Sequence, residues 1–249
     1  MSDINHTWPL PDPWPRIAHG IVHLWRAPLD LPEAIVDELF ATLSADERQR
    51  AARFRFDRHR RRFIVCRGQL RRLLGRYLGE SPDRIGFEYT SLGKPKLAAP
   101  WNDGSIQFSV SNSHELALFA VAGDYELGTD VERIRPLSNI DAITQRCFAP
   151  QERDALGRLP AEQRLIGFFH CWTRKEAILK AVGTGLTFPL DRLAVSLTPG
   201  APAELLAFDD DAQALDRWWL VSLVPASGYV AAVASTGLEP KLSCLTCLP

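Results

Sequence analysis

A chain of 249 residues, 46% hydrophobic and 24% charged, with a formal net charge of −1, has the composition of an ordinary globular protein. It is long enough for one large domain or two small ones, and either can bury a real core. The balanced charge excludes a nucleic-acid or membrane partner held by net charge alone, and no apolar run approaches the ~18 residues of a membrane span.

The first twenty residues, "MSDINHTWPLPDPWPRIAHG", are proline-rich and carry acids. With no basic region leading into an apolar run, they do not read as a secretory signal. "HGIVHLWRAPL" alternates as a strand should and stops at Pro28. "LPEAIVDELFATL" has helical apolar spacing. "SADERQRAARFRF" opens on Ser44 with Glu47 three residues later, a capping-box arrangement. A longer helix is expected from Arg58 to Leu78, followed by strand-like runs "IGFEYT", "IQFSVS" and "ELALFAVAG", with a turn at "SLGKP".

The second half follows the same order. "YELGTDVERI" reads as a strand, "SNIDAITQRCF" and "APQERDALGRL" as helices, and about Ala161 to Val182 as a long helix. "LAVSL", "RWWLVSLV" and "GYVAAVAS" supply three more strands. Identity between the halves is too low for a strict sequence repeat. The expected fold class is α+β, with two pseudo-symmetric subdomains, each a long helix packed on a small antiparallel sheet. The expected division is residues 1–123, residues 124–237 and a tail of residues 238–249, with a ligand in the cleft between the halves.

Within "LGTDVERIRP", Asp130 and Glu132 stand two residues apart on a strand, so both point to one face. Two carboxylates side by side repel unless something positive lies between them; the plain alternative is a solvated sheet face. In "FFHCWTRKEAILKAVGTGL", Trp172, Lys175, Glu176 and Lys180 fall on one arc of a helix. That arc reads either as a surface salt bridge or as a charged stripe with a purpose on an otherwise apolar helix. Between Arg48 and Arg76 lie twelve arginines against one acid, Asp57. Alone, such a run is a solvated helical face or a nucleic-acid patch. The five cysteines, Cys66, Cys147, Cys171, Cys244 and Cys247, are odd in number and scattered. They read as free thiols of a reducing cytoplasm, and the terminal CxxC lacks a second pair for zinc.

Taken together, the strand and helix motifs resemble the signature of the Sfp-type 4'-phosphopantetheinyl transferases. That family is typified by a G-x-D-x-E strand followed about forty residues later by a W-x-x-K-E-A-x-x-K helix; here these are Gly128, Asp130, Glu132 and Trp172, Lys175, Glu176, Ala177, Lys180. The likeness extends to "LSADERQRAARF", "RRRFIVCRGQLRRLL", "LGKPKL" and "FSVSNSHELALFAVA", but not to the Trp- and Pro-rich start or the segment after Gly237.

The resemblance implies transfer of the phosphopantetheine arm of coenzyme A to a serine of an apo acyl or peptidyl carrier protein, releasing adenosine 3',5'-bisphosphate. It implies Mg²⁺ as cofactor, with Asp130, Glu132 and Glu176 as the metal-site acids; Glu176 is also the family's favoured general base, and the resemblance leaves open whether it serves as base, metal ligand or both. Asp130 and Lys180 would share the catalytic work, and Trp172 would shield the site. Lys175 and Lys180 would neutralise the diphosphate, while Arg50, Arg53, Arg62, Lys94, Ser111 and Asn112 would hold the coenzyme.

One departure stands out. Asn112 occupies the place of a family histidine, and His114 lies two residues on. The implied protein is a cytoplasmic monomer that binds no nucleic acid or membrane. A relative that has lost the chemistry and only binds coenzyme A or a carrier is the alternative.

Overall fold

Strand β1 (Ile21–Pro28) ends at its proline and leads into α1 (Glu33–Ala41), α2 (Ala45–Ala52) and the 22-residue α3 (Asp57–Leu78). The short strands β2 (Phe87–Tyr89) and β3 (Pro95–Leu97) form a hairpin before β4 (Gln107–Ser113) and β5 (Leu116–Ala122). The series then repeats. Strand β6 (Leu127–Arg133) is followed by α4 (Ile140–Cys147), α5 (Pro150–Arg158) and the 22-residue α6 (Ala161–Val182). A second hairpin, β7 (Leu193–Val195) with β8 (Leu205–Phe208), and a short α7 (Ala214–Arg217) precede β9 (Trp218–Leu223), β10 (Tyr229–Thr236) and β11 (Lys241–Thr246). This computed structural model describes residues 8–123, 125–209, 211, 213–237 and 239–247. Asp124, where the second subdomain was expected to begin, lies outside them, as do the first seven residues of the Trp- and Pro-rich start.

The architecture is α+β with two subdomains, as expected. Strand order is β11-β1-β5-β4 in one sheet and β6-β10-β9 in the other, so each half orders its three antiparallel strands alike. Both long helices stop at a glycine in the left-handed region, Gly79 (φ 68°) and Gly183 (φ 84°), where a side chain would be strained. Alternate residues of β5 point to opposite faces. Ala117, Phe119 and Val121 join the core under α3, while Leu118 and Ala120 meet Val131 and Val233 of the other sheet. Phe148, Phe168 and Ile178 centre a further core under α6. With both faces covered, β5 reads as the unbroken apolar run "LALFAVA" rather than an alternating one.

The segment after Gly237, expected to be a tail, is corrected. Its strand β11 pairs in parallel with β1 from Ile21↔Lys241 to Arg26↔Thr246. Without it β1 would present an open row of backbone groups. The described part of the N-terminal segment lies nearby: Thr246 N–H donates to the Pro9 carbonyl at 2.9 Å, and Trp14 stacks on Trp25. All five cysteines are free, and Cys244 and Cys247 are buried. Among the described residues no helix is long and apolar enough to cross a membrane.

Two further contacts shape the seam around β6. Strands β4 and β6 lie side by side without a main-chain ladder; instead the Thr129, Val131 and Arg133 N–H groups donate to the hydroxyls of Ser109, Ser111 and Ser113 at 3.0, 3.3 and 3.2 Å. On the other side, α6 presses onto β6 at Gly128. A Cβ added there would collide with the Ala177 carbonyl oxygen and lie 2.5 Å from the Ala181 amide nitrogen. Both obstacles are helix backbone, which cannot rotate aside. Gly128→Ala is therefore expected to cost about 3 kcal/mol, read as a lower urea midpoint with an unchanged slope.

Candidate active site

The closeness allowed by Gly128 carries one face of α6 onto β6. Glu176 and Lys180, at i and i+4, share that face. Lys180 Nζ donates to Asp130 Oδ1 at 2.7 Å, joining the two motif segments across fifty residues of chain. Ser111 Oγ donates to the same oxygen at 2.7 Å, and Ser113 Oγ donates to Glu132 Oε2 at 2.7 Å. Asp130 Oδ2 and Glu176 Oε1 are buried without a hydrogen-bond partner. A buried acceptor left unpaired is costly, so the seam retains two oxygens suited to a cation or a donor.

The electrostatics agree with that reading. Burial, with repulsion from Asp130 and Glu132, pushes the Glu176 carboxyl up to about 7, although Lys180 pulls the other way. Burial also raises Glu132, against its bond from Ser113. The expected three-acid metal group is nevertheless not assembled: among the described residues no three His, Cys, Asp or Glu side chains are arranged to hold an ion. Lys180 and Ser111 take one oxygen of Asp130 and Ser113 takes one of Glu132, while Asp130 Oδ2 and Glu176 Oε1 keep no partner. The donor chemistry still suits Mg²⁺, which takes one or two carboxylates and completes its octahedron with water and substrate phosphate oxygens.

Beside the seam lies a cavity of about 700 Å³ lined by Arg50, Arg58, Arg62, Arg67, Asn112 and His114 among others. Asn112 is exposed there, whereas Ser111 is buried and faces β6 instead. Arg62 holds Asp30 through a two-pronged bond at 2.7 and 2.6 Å. Arg53 is exposed and does not line the cavity. Lys94 does not line it either. Its ammonium donates to the carbonyls of Ala181 (3.0 Å) and Leu127 (3.4 Å), tying the β2–β3 hairpin to the second subdomain, and burial pulls its pKa down to about 8. A smaller cavity of about 280 Å³ reaches Glu176 and Lys180 between Leu92, Val110 and Leu179.

The coenzyme role of Lys175 is corrected. Its side chain is 1% exposed and pairs with Glu152 Oε2 at 2.6 Å, while donating to the carbonyls of Cys147, Leu190 and Leu193. The first half uses the same device. There Glu47 Oε2 accepts from Arg71 at 2.7 Å, and each glutamate also accepts the N–H three residues before it, of Ser44 and Ala149. Arg71 and Lys175 each lie fourteen residues past the start of their helix (57 to 71, 161 to 175). Lys175 is thus the structural counterpart of Arg71. Trp172 stacks on Phe168 at its core. Sequence reasoning missed Ser113, although its alternation with Ser109 and Ser111 was visible.

The comparisons with known proteins point one way. Residues 126–234 match the 4'-phosphopantetheinyl transferase superfamily, and residues 33–126 match the 4'-phosphopantetheinyl transferase N-terminal family. The chain is 43% identical over 240 residues to 4'-phosphopantetheinyl transferase HetI of a Nostoc species, covering 96% of this chain and 98% of that one. It is 33% identical over 175 residues to a putative 4'-phosphopantetheinyl transferase of a Synechocystis species, 68% of each chain. With 4'-phosphopantetheinyl transferase psf-1 of Bacillus pumilus it shares 29% over 212 residues, 85% of this chain and 88% of that one.

Two outcomes test the geometry. Lys175→Met leaves the buried Glu152 carboxylate without its cation, so it should cost about 3 to 5 kcal/mol in urea unfolding while the coenzyme KM of the folded fraction stays within about twofold. Glu176→Gln should do the opposite to stability. The Glu176 carboxyl, raised to about 7 from an ordinary 4.5, binds its proton more tightly folded than unfolded. Stability is therefore lost as pH climbs from 4.5 through 7. Scanning calorimetry in metal-free buffer should find Glu176→Gln about 2 kcal/mol more stable than the parent at pH 8, with the gap closing toward pH 4.

Proposed function

This chain belongs to the 4'-phosphopantetheinyl transferase superfamily, and from that premise we propose a Mg²⁺-dependent transfer run by the acids at the β4–β6–α6 seam. The protein is an enzyme that moves the phosphopantetheine arm of coenzyme A to an apo carrier protein. In the proposed reaction a carrier serine oxygen bonds to the pantetheine-bearing phosphorus. The bond from that phosphorus to the bridging oxygen breaks, and adenosine 3',5'-bisphosphate leaves.

The difficulty is a weak nucleophile attacking phosphorus among anionic oxygens, so charge neutralisation and positioning dominate. Asp130, Glu132 and Glu176 would hold Mg²⁺, which when bound supplies charge to the diphosphate oxygens. Glu176 takes the serine proton. A buried carboxylate is suited to act as a base, and with two oxygens Glu176 could face an ion and a hydroxyl together. Lys180, fixed on Asp130, neutralises charge gathering on the leaving group. Arg50 and Arg62 grip the 3'-phosphate in the arginine-lined cavity, where a guanidinium can bond two oxygens. Asn112 donates a neutral hydrogen bond beside them. On this reading residues 1–123 bind the adenosine end and residues 124–237 carry the acids.

The observation that carries the proposal is the 2.7 Å bond from Lys180 to Asp130, because it brings the strand motif and the helix motif into one site. The test mixes the protein with coenzyme A, Mg²⁺ and a panel of apo acyl and peptidyl carriers and weighs the carriers. The expected result is a mass gain of one phosphopantetheine, lost on chelation of the metal. Asp130→Ala and Glu176→Ala should each cut kcat at least about 100-fold without unfolding the chain. Near-parent turnover in either variant at saturating Mg²⁺ would overturn the assignment. Coenzyme binding without any transfer would make the protein a binding module.

A further inference from the structure

Strand β4 carries serines at alternate positions, and each accepts one β6 amide in step: Ser109 from Thr129, Ser111 from Val131, Ser113 from Arg133. Accepting an amide uses a lone pair and leaves the hydroxyl proton free. Ser111 and Ser113 spend that proton on the carboxylates one residue back along β6, Asp130 and Glu132, both at 2.7 Å. At the third step residue 128 is glycine, so Ser109 meets no acid. Two of the three hydroxyls thus grip β6 twice, once by its backbone and once by a side chain.

We propose that Ser111 and Ser113 are positioning residues, which fix the carboxylates of Asp130 and Glu132 for metal binding and transfer. The idea rests on the Mg²⁺ reading above. A glutamate has several rotatable bonds, and its neighbouring acid drives it away. A charge-assisted bond from a hydroxyl that is itself fixed by backbone removes that freedom. It also engages one oxygen of each acid; on Asp130 the other oxygen stays without a partner. Because the serines stand on the first subdomain and the acids on the second, the acids are presented only while the halves are in register. The same bond removes Ser111 from the coenzyme: its single proton is committed to Asp130.

Ser109→Ala is the internal control, since it removes an amide acceptor from the same seam without touching an acid. The experiment compares Ser109→Ala, Ser111→Ala, Ser113→Ala and Ser113→Thr. It measures urea stability, Mn²⁺ affinity by electron paramagnetic resonance with coenzyme A present, and kcat and KM. All three alanine variants should lose similar stability. Mn²⁺ should bind about tenfold more weakly to Ser111→Ala and Ser113→Ala, with kcat reduced and coenzyme KM within about twofold, while Ser109→Ala keeps parent values. Ser113→Thr, which retains the hydroxyl, should recover most of the loss.

The proposal falls if Ser113→Ala loses no more metal affinity and no more kcat than Ser109→Ala. It falls for Ser111 alone if that variant raises coenzyme KM at unchanged kcat. If the parent transfers the arm but binds no Mn²⁺ that Asp130→Ala removes, the metal reading has failed separately, and the kcat comparison decides the positioning role. A parent that neither transfers nor binds Mn²⁺ sinks both.

Discussion

Three amide protons on one side of β6 need acceptors, and β4 answers them with side-chain hydroxyls where a sheet would offer carbonyls. Buried backbone donors are almost never left unpaired, so this substitution satisfies β6 where the subdomains meet. It also decides what lies along the join. Hydroxyls, unlike carbonyls, can donate onward, and two of them donate to acids. Gly128 settles the opposite side by letting helix backbone come to where a side chain would stand. Between these two contacts the chain collects Asp130, Glu132, Glu176 and Lys180 in one place.

The halves share a plan and divide the labour. Each anchors its second helix to its long helix through a buried glutamate that also caps the second helix, with a cation fourteen residues into the long one: Glu47 with Arg71, Glu152 with Lys175. Each first strand has a parallel neighbour, β11 beside β1 and β4 beside β6. The difference lies in how that neighbour binds. β11 joins β1 by an ordinary main-chain ladder, whereas β4 joins β6 through serines. Charge is placed accordingly. Arginines from α2 and α3 line a cavity on the first half, and the unpaired oxygens of Asp130 and Glu176 sit on the second.

Local patterns encode a large part of this. Element order, the capping glutamate at Glu47, both long helices and the two motifs follow from spacings of two and of three to four residues, which are properties of single strands and helices. What local patterns leave out comes from places where a neighbour distant in sequence has the last word. "KLSCLT" looks like an unremarkable end until β1 needs an edge partner. Lys175 lies on the same helical arc as Glu176 and Lys180, yet a buried glutamate from α5 claims it. Lys94 follows a turn glycine, as a ligand lysine might, and instead ties the β2–β3 hairpin to the end of α6.

By itself, then, the sequence determined which segments become strands and helices, that they occur twice in one order, and which acids and bases are available for chemistry. Only the tertiary structure decided which charged groups are spent on the scaffold and which remain free. That difference is physical. Periodicity is written within a segment, but a side chain's partner is set by which segments pack against it, and burial makes that choice binding because a buried charge without a partner is too costly to keep.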